Sequence, residues 1–547
     1  MRGGSGLQPV NQSPLTKAPM DAAPAFNPQL PALRWNWRAS PLQLALLLAL
    51  LALGLRMIGL GSRPLWLDEA YSAWFSSRTW HDLWTVVPTY EPHPPFYYSL
   101  LKLWRSVFGS EPAALRGLSV LFSTLTVPVV VAIAFEQERQ AKTGRPVLRA
   151  FVAAMLFACS PLLMFLDQQA RPYPMMIFAY SVAILGLLRL MREFAAGGAG
   201  GWRSWTLLAI GTELTLWSHG LGVLYALCLA AALLPAWLKQ PSRARILRGA
   251  GVAAVIGLFY LPCLLMMLSR TGDWANGWLS WHPLMLLLLA GLYAVPVEAL
   301  NVGTAVAALV LLLLVKRAIG SAIATRGWSV ERAMLLLWLG PPLLAVAISA
   351  LFFPVFLLRT LAPTLVPAYV AIGGALARTP APRERFALTA ALCITLLPSA
   401  IQTALRPASE RWDEVNAFLA GHVRAGDQVW LYPNDSVLPL TEAAGPGGLP
   451  YRVRSLPAAF PALGAPGPRR LGSPAVPSLT RAQAHAVAAD PAIRRIPTVW
   501  LVTRQSGLVD PGNDLPSELA RTRRPGPMQK WGFIDVQPYY AARDKPE

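Results

Sequence analysis

The sequence is poor in charged residues. Asp, Glu, Lys and Arg make up 14% of its 547 residues, whereas about 25% is usual in soluble domains, and hydrophobic residues make up 54%. Apolar runs of about 20 residues, enough to cross a hydrocarbon core of roughly 30 Å as a helix, recur through roughly the first 400 positions. The composition therefore excludes a soluble fold for most of the chain.

Cysteine is scarce as well. The four cysteines lie inside apolar stretches, form no CxxC pair and show no spacing typical of a metal knuckle, so they are interpreted as buried hydrophobic residues: Cys159, Cys228, Cys263 and Cys393. The segment after residue 405 contains no cysteine, which excludes disulfides from it.

Acidic residues are outnumbered, and the net charge is +20. The Lys and Arg residues form short groups that alternate with loops poorer in both, which is the positive-inside pattern of a membrane protein. Nucleic-acid binding is therefore the weaker interpretation, and no nucleic-acid partner is predicted. The first apolar run begins near Pro41 without a small-residue cleavage site close behind it, so we expect it to remain as a signal anchor.

Three regions are predicted: a disordered cytoplasmic tail (1–38), a multi-pass membrane domain (39–405) and an extracytoplasmic α/β domain (406–547). About 11 spans place the N-terminus inside and the C-terminus outside. They are 41–60, 114–135, 150–166, 174–191, 204–218, 221–238, 249–268, 299–315, 333–352, 360–377 and 386–403. Two further apolar segments, 94–108 and 283–295, are predicted as interfacial or re-entrant helices on the outer side.

The sequence pattern of the last 140 or so residues is typical of a mixed α/β fold. RWDEVNAFLAGHV predicts a helix, and QVWLY, IPTVWLVT and WGFIDV predict strands. The stretch 441–475 is so rich in Pro and Gly that it predicts a long loop.

The first outer loop contains an acidic pair, Asp68 and Glu69, beside Trp66. Carboxylates this close to hydrocarbon are costly unless they are paired, hydrated or functional. Taken alone, the pair fits solvated loop acids equally well. The same loop continues with Glu91 and His93 before a rigid Pro-Pro step, which begins a helix carrying Tyr97 and Tyr98. Those aromatic residues also fit an ordinary interfacial belt.

Two cations are predicted at the same membrane face. Arg171 lies with Tyr173 in the short polar turn FLDQQARPYP, and Arg is well suited to bind phosphate through paired hydrogen bonds. Arg359 lies at the outer end of a later span. Each also fits a cation that snorkels to the interface. His219, at another outer turn, is more typical of a structural histidine than of a ligand.

These segments, in this order, resemble the GT-C glycosyltransferases that use polyprenyl-phosphate sugars, a group that includes protein O-mannosyltransferases and aminoarabinose transferases. The matching motifs are LDEA (67–70), EPHPPFYYSLLKLW (91–104), QQARPY (168–173), SHG around His219, and Arg359 before APTLVPA. Thr360, where relatives often have Tyr, and Pro172 depart from the pattern and leave the donor open.

The resemblance implies a mainly α GT-C fold in a bacterial inner membrane, with the C-terminal domain periplasmic. It implies transfer of a sugar from a polyprenyl-phosphate donor to a protein, glycolipid or polysaccharide acceptor. Asp68 would be the general base, Glu69 its neighbour in the motif, and Glu91 a second acid. The donor phosphate would meet Arg171, Tyr173, His93 and Arg359, whereas the sugar or acceptor would meet Trp66, Tyr97, Tyr98 and His219.

No cofactor is required by this chemistry, because lipid phosphate is already a good leaving group. A divalent metal such as zinc or manganese at Asp68, Glu91, His93 and His219 stays open, since mixed oxygen and nitrogen ligands suit these ions. The competing function is a transporter or flippase, which would place polar residues within the spans and show repeated, broken helices. The informative residues instead cluster in the outer loops.

Overall fold

The computed structural model describes residues 3, 40–269, 279, 281–282 and 302–541. The predicted helix at 283–295 lies outside the described residues, as does the predicted tail apart from residue 3. Up to residue 404 the described chain is helical, and after it helices alternate with strands.

The helices of the first part follow the apolar runs. They are α1 (Pro41–Met57), α2 (Leu67–Ser77), α3 (Trp80–Thr85), α4 (Phe96–Phe108), α5 (Pro112–Ala141), α6 (Pro146–Cys159), α7 (Pro161–Asp167), α8 (Tyr173–Ala195), α9 (Trp202–Ser218), α10 (Gly222–Leu238), α11 (Arg243–Leu268), α12 (Val302–Ala324), α13 (Val330–Leu351), α14 (Leu358–Leu361), α15 (Leu365–Arg378) and α16 (Pro382–Ala404).

Local sequence sets where these helices begin. Ser40 and Gln43 form a capping box that starts α1. Several helices begin with proline, which fits the first turn because the missing N–H is not needed there. The Ser160-Pro161 step separates α6 from α7 and bends the pair by 57°. Gly211 of α9 lies so close to the backbone of Ala183 in α8 that a Cβ atom would clash.

Every one of the eleven predicted spans overlaps a helix or a pair of consecutive helices. By length and apolar composition, seven helices of the described chain are able to cross a membrane, or eight if the bent pair α6–α7 is one span. α1 and α10 are apolar but shorter, with 17 residues each. The segment 94–108 contains α4, which packs beside α2, α5 and α9 at one end of the bundle.

Buried ion pairs join the helices near that end. Arg56 of α1 contacts Asp167 at the end of α7, 2.7 Å away, and both bond to Ser123 of α5. Each of these side chains is at most 1% exposed. Because an unpaired charge is costly in an apolar interior, the pair fixes the mutual position of three helices.

The basic groups predicted as inner loops gather at the other end of the bundle. Arg145 donates to the carbonyl of Ala377, and Arg378 pairs with Glu331 at 2.6 Å. Arg317 lies within α12 rather than in a loop, where it pairs with Glu384. A continuous helix accommodates this charge because its long side chain reaches the neighbouring helix end.

The C-terminal region, residues 406–541, is an α/β unit. Its helices are α17 (Trp412–His422), α18 (Val437–Ala444), α19 (Arg481–Ala489), α20 (Ser506–Val509) and α21 (Asp514–Thr522). Its strands are β1 (Gln428–Tyr432), β2 (Val453–Ser455), β3 (Thr498–Arg504), β4 (Arg523–Pro525), β5 (Gln529–Trp531) and β6 (Ile534–Ala541). The sheet order is β2-β1-β3-β6-β4, and β5 also pairs with β6.

Alternating side chains give this sheet two buried faces. Val429 and Leu431 of β1 pack with Trp412 of α17, whereas Trp430 and Tyr432 point to the other face. The helix predicted from RWDEVNAFLAGHV and the first two predicted strands are confirmed.

Two predictions for this region are wrong in detail. WGFIDV straddles the turn between β5 and β6, because Gly532 has a φ of +62° and reverses the chain. The predicted loop 441–475 contains β2, a three-residue edge strand that pairs with β1 in parallel.

The C-terminal region packs directly on the end of the helical part that contains α2 and α4. Leu438, Phe460 and Val476 share one buried cluster with Phe75 of α2 and Tyr98 of α4. The sheet therefore forms part of the surroundings of the acidic loop.

Candidate active site

Helix α2 presents the acidic pair on its first turn. Trp66 has an extended backbone and precedes the helix, and the backbone N–H of Leu67 donates to Glu410 Oε2 at 3.2 Å. Because successive residues of a helix are turned by about 100°, the two carboxylates face different surroundings.

Asp68 faces two arginines. Its Oδ2 accepts a hydrogen bond from Arg359 Nη1 at 3.0 Å, and its backbone carbonyl accepts one from Arg171 Nη1 at 3.0 Å. The side chain remains 21% exposed. Burial alone would raise the pKa of this carboxyl, but Arg359 and then Arg171 lower it below its ordinary value. Asp68 is therefore an ionised, accessible carboxylate at neutral pH.

Glu69 faces the helical bundle. Arg116 of α5 binds both of its carboxylate oxygens, each at 2.7 Å, and the N–H of Ala170 donates to Oε1 at 2.9 Å. Glu69 is 1% exposed. Arg116 also donates to the carbonyls of Leu60 and Arg63. This ion pair ties α2 to α5 and to the turn between α7 and α8.

Glu91, the second predicted acid, is held by its own loop. Its Oε1 accepts a hydrogen bond from Tyr98 at 2.9 Å and contacts His93 Nδ1. Burial raises the pKa of Glu91, but His93 and Arg171 lower it more, so the carboxyl is ionised.

His219 completes a histidine pair with His93. The two rings meet edge to face with centroids 4.7 Å apart. His219 Nδ1 accepts the backbone N–H of Leu221 at 3.0 Å, which places the ring proton on Nε2. Burial, together with His93 and Arg171, lowers the pKa of His219 well below its ordinary value, so this ring is neutral.

Both predicted phosphate-binding arginines keep an unused donor. The Nε atoms of Arg171 and Arg359 are buried and have no hydrogen-bond partner among the described residues. Each guanidinium also lies about 6 Å from the ring of Tyr173, at 5.9 and 5.8 Å. Unsatisfied N–H groups of buried cations suit an anionic oxygen.

A cleft of about 990 Å³ opens beside these groups. Both polar and apolar residues line it, and the C-terminal region contributes part of the lining. The lining includes Tyr90, Glu91, His93, Tyr173, His219 and Arg359, then Leu279, Pro354, Val355 and Leu357, and finally Leu471, Gly472 and Ser473. Arg359 connects the cleft with Asp68.

Three aromatic residues predicted as sugar or acceptor contacts do not line this cleft. Tyr97 and Tyr98 are at most 1% exposed, because α4 turns both rings inward against α2. The guanidinium carbon of Arg359 lies 6.0 Å from the ring centroid of Trp66. The tyrosines that line the cleft are Tyr90 and Tyr173.

In the described part of the chain, no group of three or more His, Cys, Asp or Glu side chains is close enough to hold a metal ion. Asp68 bonds to Arg359, and Glu91 is occupied by His93 and Tyr98.

Several contacts of the acidic loop were not predicted. Glu410 accepts from Leu67 and pairs with Arg504 at 2.6 Å, and Asp435 accepts from Tyr71 at 2.7 Å. Arg116 had a recognisable signal, because an arginine within an apolar helical run requires a partner. Nothing in the local sequence marked Glu410 or Arg504.

Comparison with solved structures identifies the architecture. The structure of ArnT from Cupriavidus metallidurans bound to undecaprenyl phosphate superposes with a TM-score of 0.57 at 13% identity, covering 92% of this chain and 99% of that one. The Archaeoglobus fulgidus oligosaccharyltransferase in complex with Zn and sulfate gives a TM-score of 0.53 at 15% identity, covering 89% and 71%.

The chain has the GT-C fold. The predicted fold class is thereby confirmed. No protein-family model matches the sequence, and no curated protein matches it. At 13–15% identity the likeness concerns the GT-C fold itself, so residue roles depend on the geometry of this chain.

Proposed function

We propose that this chain is a membrane glycosyltransferase that moves a sugar from a polyprenyl-phosphate donor to an acceptor hydroxyl, with Asp68 as the general base. The observation that carries the proposal is the ionised Asp68 between Arg359 and Arg171, beside a cleft lined by both polar and apolar residues. The GT-C fold and the undecaprenyl phosphate bound to ArnT support the donor class.

The residues divide the reaction between them. Asp68 takes the proton of the acceptor hydroxyl while the hydroxyl oxygen bonds to the anomeric carbon. The bond from that carbon to the phosphate oxygen breaks, and the lipid phosphate leaves with the electron pair. The free Nε donors of Arg171 and Arg359 stabilise its charge.

Arg359 links the two halves of this mechanism. While it pairs with Asp68, it holds the pKa of the carboxyl low, which makes a weak base. A donor phosphate competes for the same guanidinium. Donor binding thereby strengthens Asp68 as a base, so the base becomes effective when the leaving group is in place.

The apolar wall at Pro354, Val355 and Leu357 would receive the first part of the lipid chain. The Glu91–His93 pair, next to His219, would contact the sugar or the phosphate. We place the reaction on the extracytoplasmic face of a bacterial inner membrane, following the positive-inside pattern. The acceptor is a protein, glycolipid or polysaccharide of the envelope.

A transfer assay tests the base. Membranes with wild-type, Asp68→Asn or Asp82→Asn protein receive radiolabelled polyprenyl-phosphate sugars and cell-envelope acceptors. We expect Asp68→Asn to lower the transfer rate by about 10²- to 10⁴-fold, the usual contribution of a general base. Asp82 lies in the same loop region with a side chain 43% exposed, so Asp82→Asn should keep wild-type activity.

Equal transfer by wild type and Asp68→Asn would contradict the assignment of the base. Movement of the lipid-linked sugar across the membrane without any transfer would instead support a flippase. A thermal unfolding curve of each variant separates loss of catalysis from loss of folding.

A further inference from the structure

A second cavity of about 420 Å³ lies on the other side of the start of α2. It is bounded by three connections of the chain: that between α1 and α2, the turn between α7 and α8, and the link from α16 to α17. The lining residues are Arg63, Pro64, Trp66, Glu69, Arg116, Phe165, Gln168, Gln169, Arg406, Pro407, Ala408, Ser409 and Glu410. Asp68 is not among these lining residues.

The cavity carries an excess of positive charge. Its lining has three arginines and two glutamates. Both glutamates are already neutralised, Glu69 by Arg116 and Glu410 by Arg504 from outside the cavity. Arg63 and Arg406 donate to carbonyls and to Gln168, and among the described residues neither has an acidic partner in an ion pair. Among the described residues, the lining together with Arg504 thus carries two more positive charges than negative ones.

The electrostatics of both arginines reflect this imbalance. Burial and then the charge of Arg63 lower the pKa of Arg406 to about 9. Burial and then Arg116 lower the pKa of Arg63. An anion beside these guanidinium groups would oppose the charge repulsion and raise both pKa values.

Unused polar atoms also line the cavity. The Nε1–H of Trp66 is buried and has no partner among the described residues, and it is a donor for an anionic oxygen. Gln169 Oε1, buried on the same lining without a partner among the described residues, is an acceptor and does not favour an anion. A buried donor without a partner, such as Trp66 Nε1, indicates that a bound acceptor belongs here.

The rim of the cavity is apolar. Phe165 is 37% exposed, and the guanidinium carbon of Arg406 lies 4.4 Å from its ring centroid. Leu405, at the end of α16, is 63% exposed. A cation at the point where apolar helices end, beside exposed apolar side chains, suits an anion that enters from a lipid layer.

We propose that this cavity is a binding site for a phosphate-bearing anion, separate from the cleft, with Arg406 and Arg63 as its cations and Trp66 Nε1 as a further donor. The phosphate of a membrane lipid headgroup and free phosphate share the required chemistry. The site binds without turnover, so it does not depend on the proposed transferase activity.

Binding to the purified full-length protein tests the site. Inorganic phosphate, phosphatidylglycerol and phosphatidylcholine are titrated separately, and the thermal unfolding midpoint gives the half-saturating concentration of each. We expect phosphatidylglycerol to raise the midpoint of the wild type, and Arg406→Gln to weaken that binding about tenfold, the loss typical of one charge-assisted hydrogen bond. Arg424→Gln removes the same charge from an exposed residue outside the lining and should behave like wild type.

The probes separate the sources of the anion. If inorganic phosphate raises the unfolding midpoint and Arg406→Gln weakens this effect, the ligand is a free anion. If only phosphatidylglycerol raises the midpoint, the ligand is a lipid headgroup. If Arg406→Gln fails to fold, Ser409→Asp adds a carboxylate at the exposed rim and should weaken binding as well. Equal responses of all variants, or an equal effect of phosphatidylcholine, would overturn the proposal. Asp68→Asn should bind as wild type does, which separates this result from the transfer assay.

Discussion

Asp68 and Glu69 are neighbours on the first turn of α2 with opposite surroundings. Glu69 has its acceptors occupied by Arg116 and Ala170, so it has little capacity for substrate. One carboxylate oxygen of Asp68 accepts a hydrogen bond from Arg359, and the side chain remains accessible. The same residue pair therefore supplies one structural anchor, Glu69, and one accessible carboxylate, Asp68.

The pH dependence of transfer should depend on Arg359. In the wild type, the pKa of Asp68 lies below its ordinary value, so the base is ionised and active above that pKa and loses activity only as the pH falls through it. In Arg359→Gln burial is no longer opposed by the nearest cation, so the acid limb of the rate profile should move to higher pH. The rate at neutral pH should also fall by about tenfold, because one charged donor to the phosphate is lost.

Arg359→Lys is the matched control, because it keeps the charge and should keep the acid limb near that of the wild type. An Arg359→Gln enzyme with an unshifted acid limb would show that Asp68 is not the titrating base. The profile of kcat/KM for the donor is measured from below pH 4 up to about pH 8, because kcat/KM reports the donor-free protein, in which Arg359 pairs with Asp68.

At the scale of elements, α2 depends on the C-terminal region. Glu410 accepts from the N–H of Leu67 at the start of the helix, and Arg504 of β3 holds Glu410. Both side chains of this ion pair are at most 8% exposed. A buried pair of this kind is costly to break on one side only.

Glu410→Gln should therefore destabilise the protein by about 3 kcal/mol, because it leaves Arg504 buried without a counter-charge. The double variant Glu410→Gln/Arg504→Gln should lose less than the single one. Thermal or denaturant unfolding in detergent gives both values, and Glu414→Gln, an exposed acid 45% accessible, should change stability by less than about 0.5 kcal/mol. A loss of stability in the double variant equal to the sum of the losses in Glu410→Gln alone and Arg504→Gln alone would contradict the coupling.

The elements were largely predictable, and their partners were not. Long apolar runs predict helices because a helix pairs its backbone N–H and C=O groups within one segment, as a lipid surrounding requires. By contrast, the ion pair of Arg359 with Asp68 joins residues 291 positions apart in the sequence, and that of Arg504 with Glu410 joins residues 94 positions apart. No local sequence pattern predicts contacts between residues so far apart. Tyr97 and Tyr98 show the same limit, because a helix carrying aromatic residues does not reveal which face it buries.

At the scale of the whole molecule, the two ends of the helical bundle differ in their basic residues. The end with α2 and α4 supports the C-terminal region, and the basic groups near Arg145, Arg317 and Arg378 gather at the other. Lys and Arg near span ends favour the cytoplasm. We therefore predict that the C-terminal region lies outside the cytoplasm.

Cysteine labelling checks this orientation. In spheroplasts, a membrane-impermeant maleimide should label Ser517→Cys, an exposed position of α21, as strongly as it does after permeabilisation. Arg243→Cys, at the start of α11, should be labelled only after permeabilisation. The native cysteines are buried or half-buried and provide a low background in the wild type. The reverse pattern would contradict the predicted topology.

The walls of the cleft come from distant parts of the chain, and this determines when the site can exist. Ser473 donates a hydrogen bond to the carbonyl of Tyr90, 383 residues earlier. During synthesis, Asp68, Glu91 and Arg171 are therefore made long before the wall at Leu471–Ser473 has left the ribosome. The nascent protein therefore lacks a finished cleft until the segment Leu471–Ser473 packs against the loop that contains Tyr90.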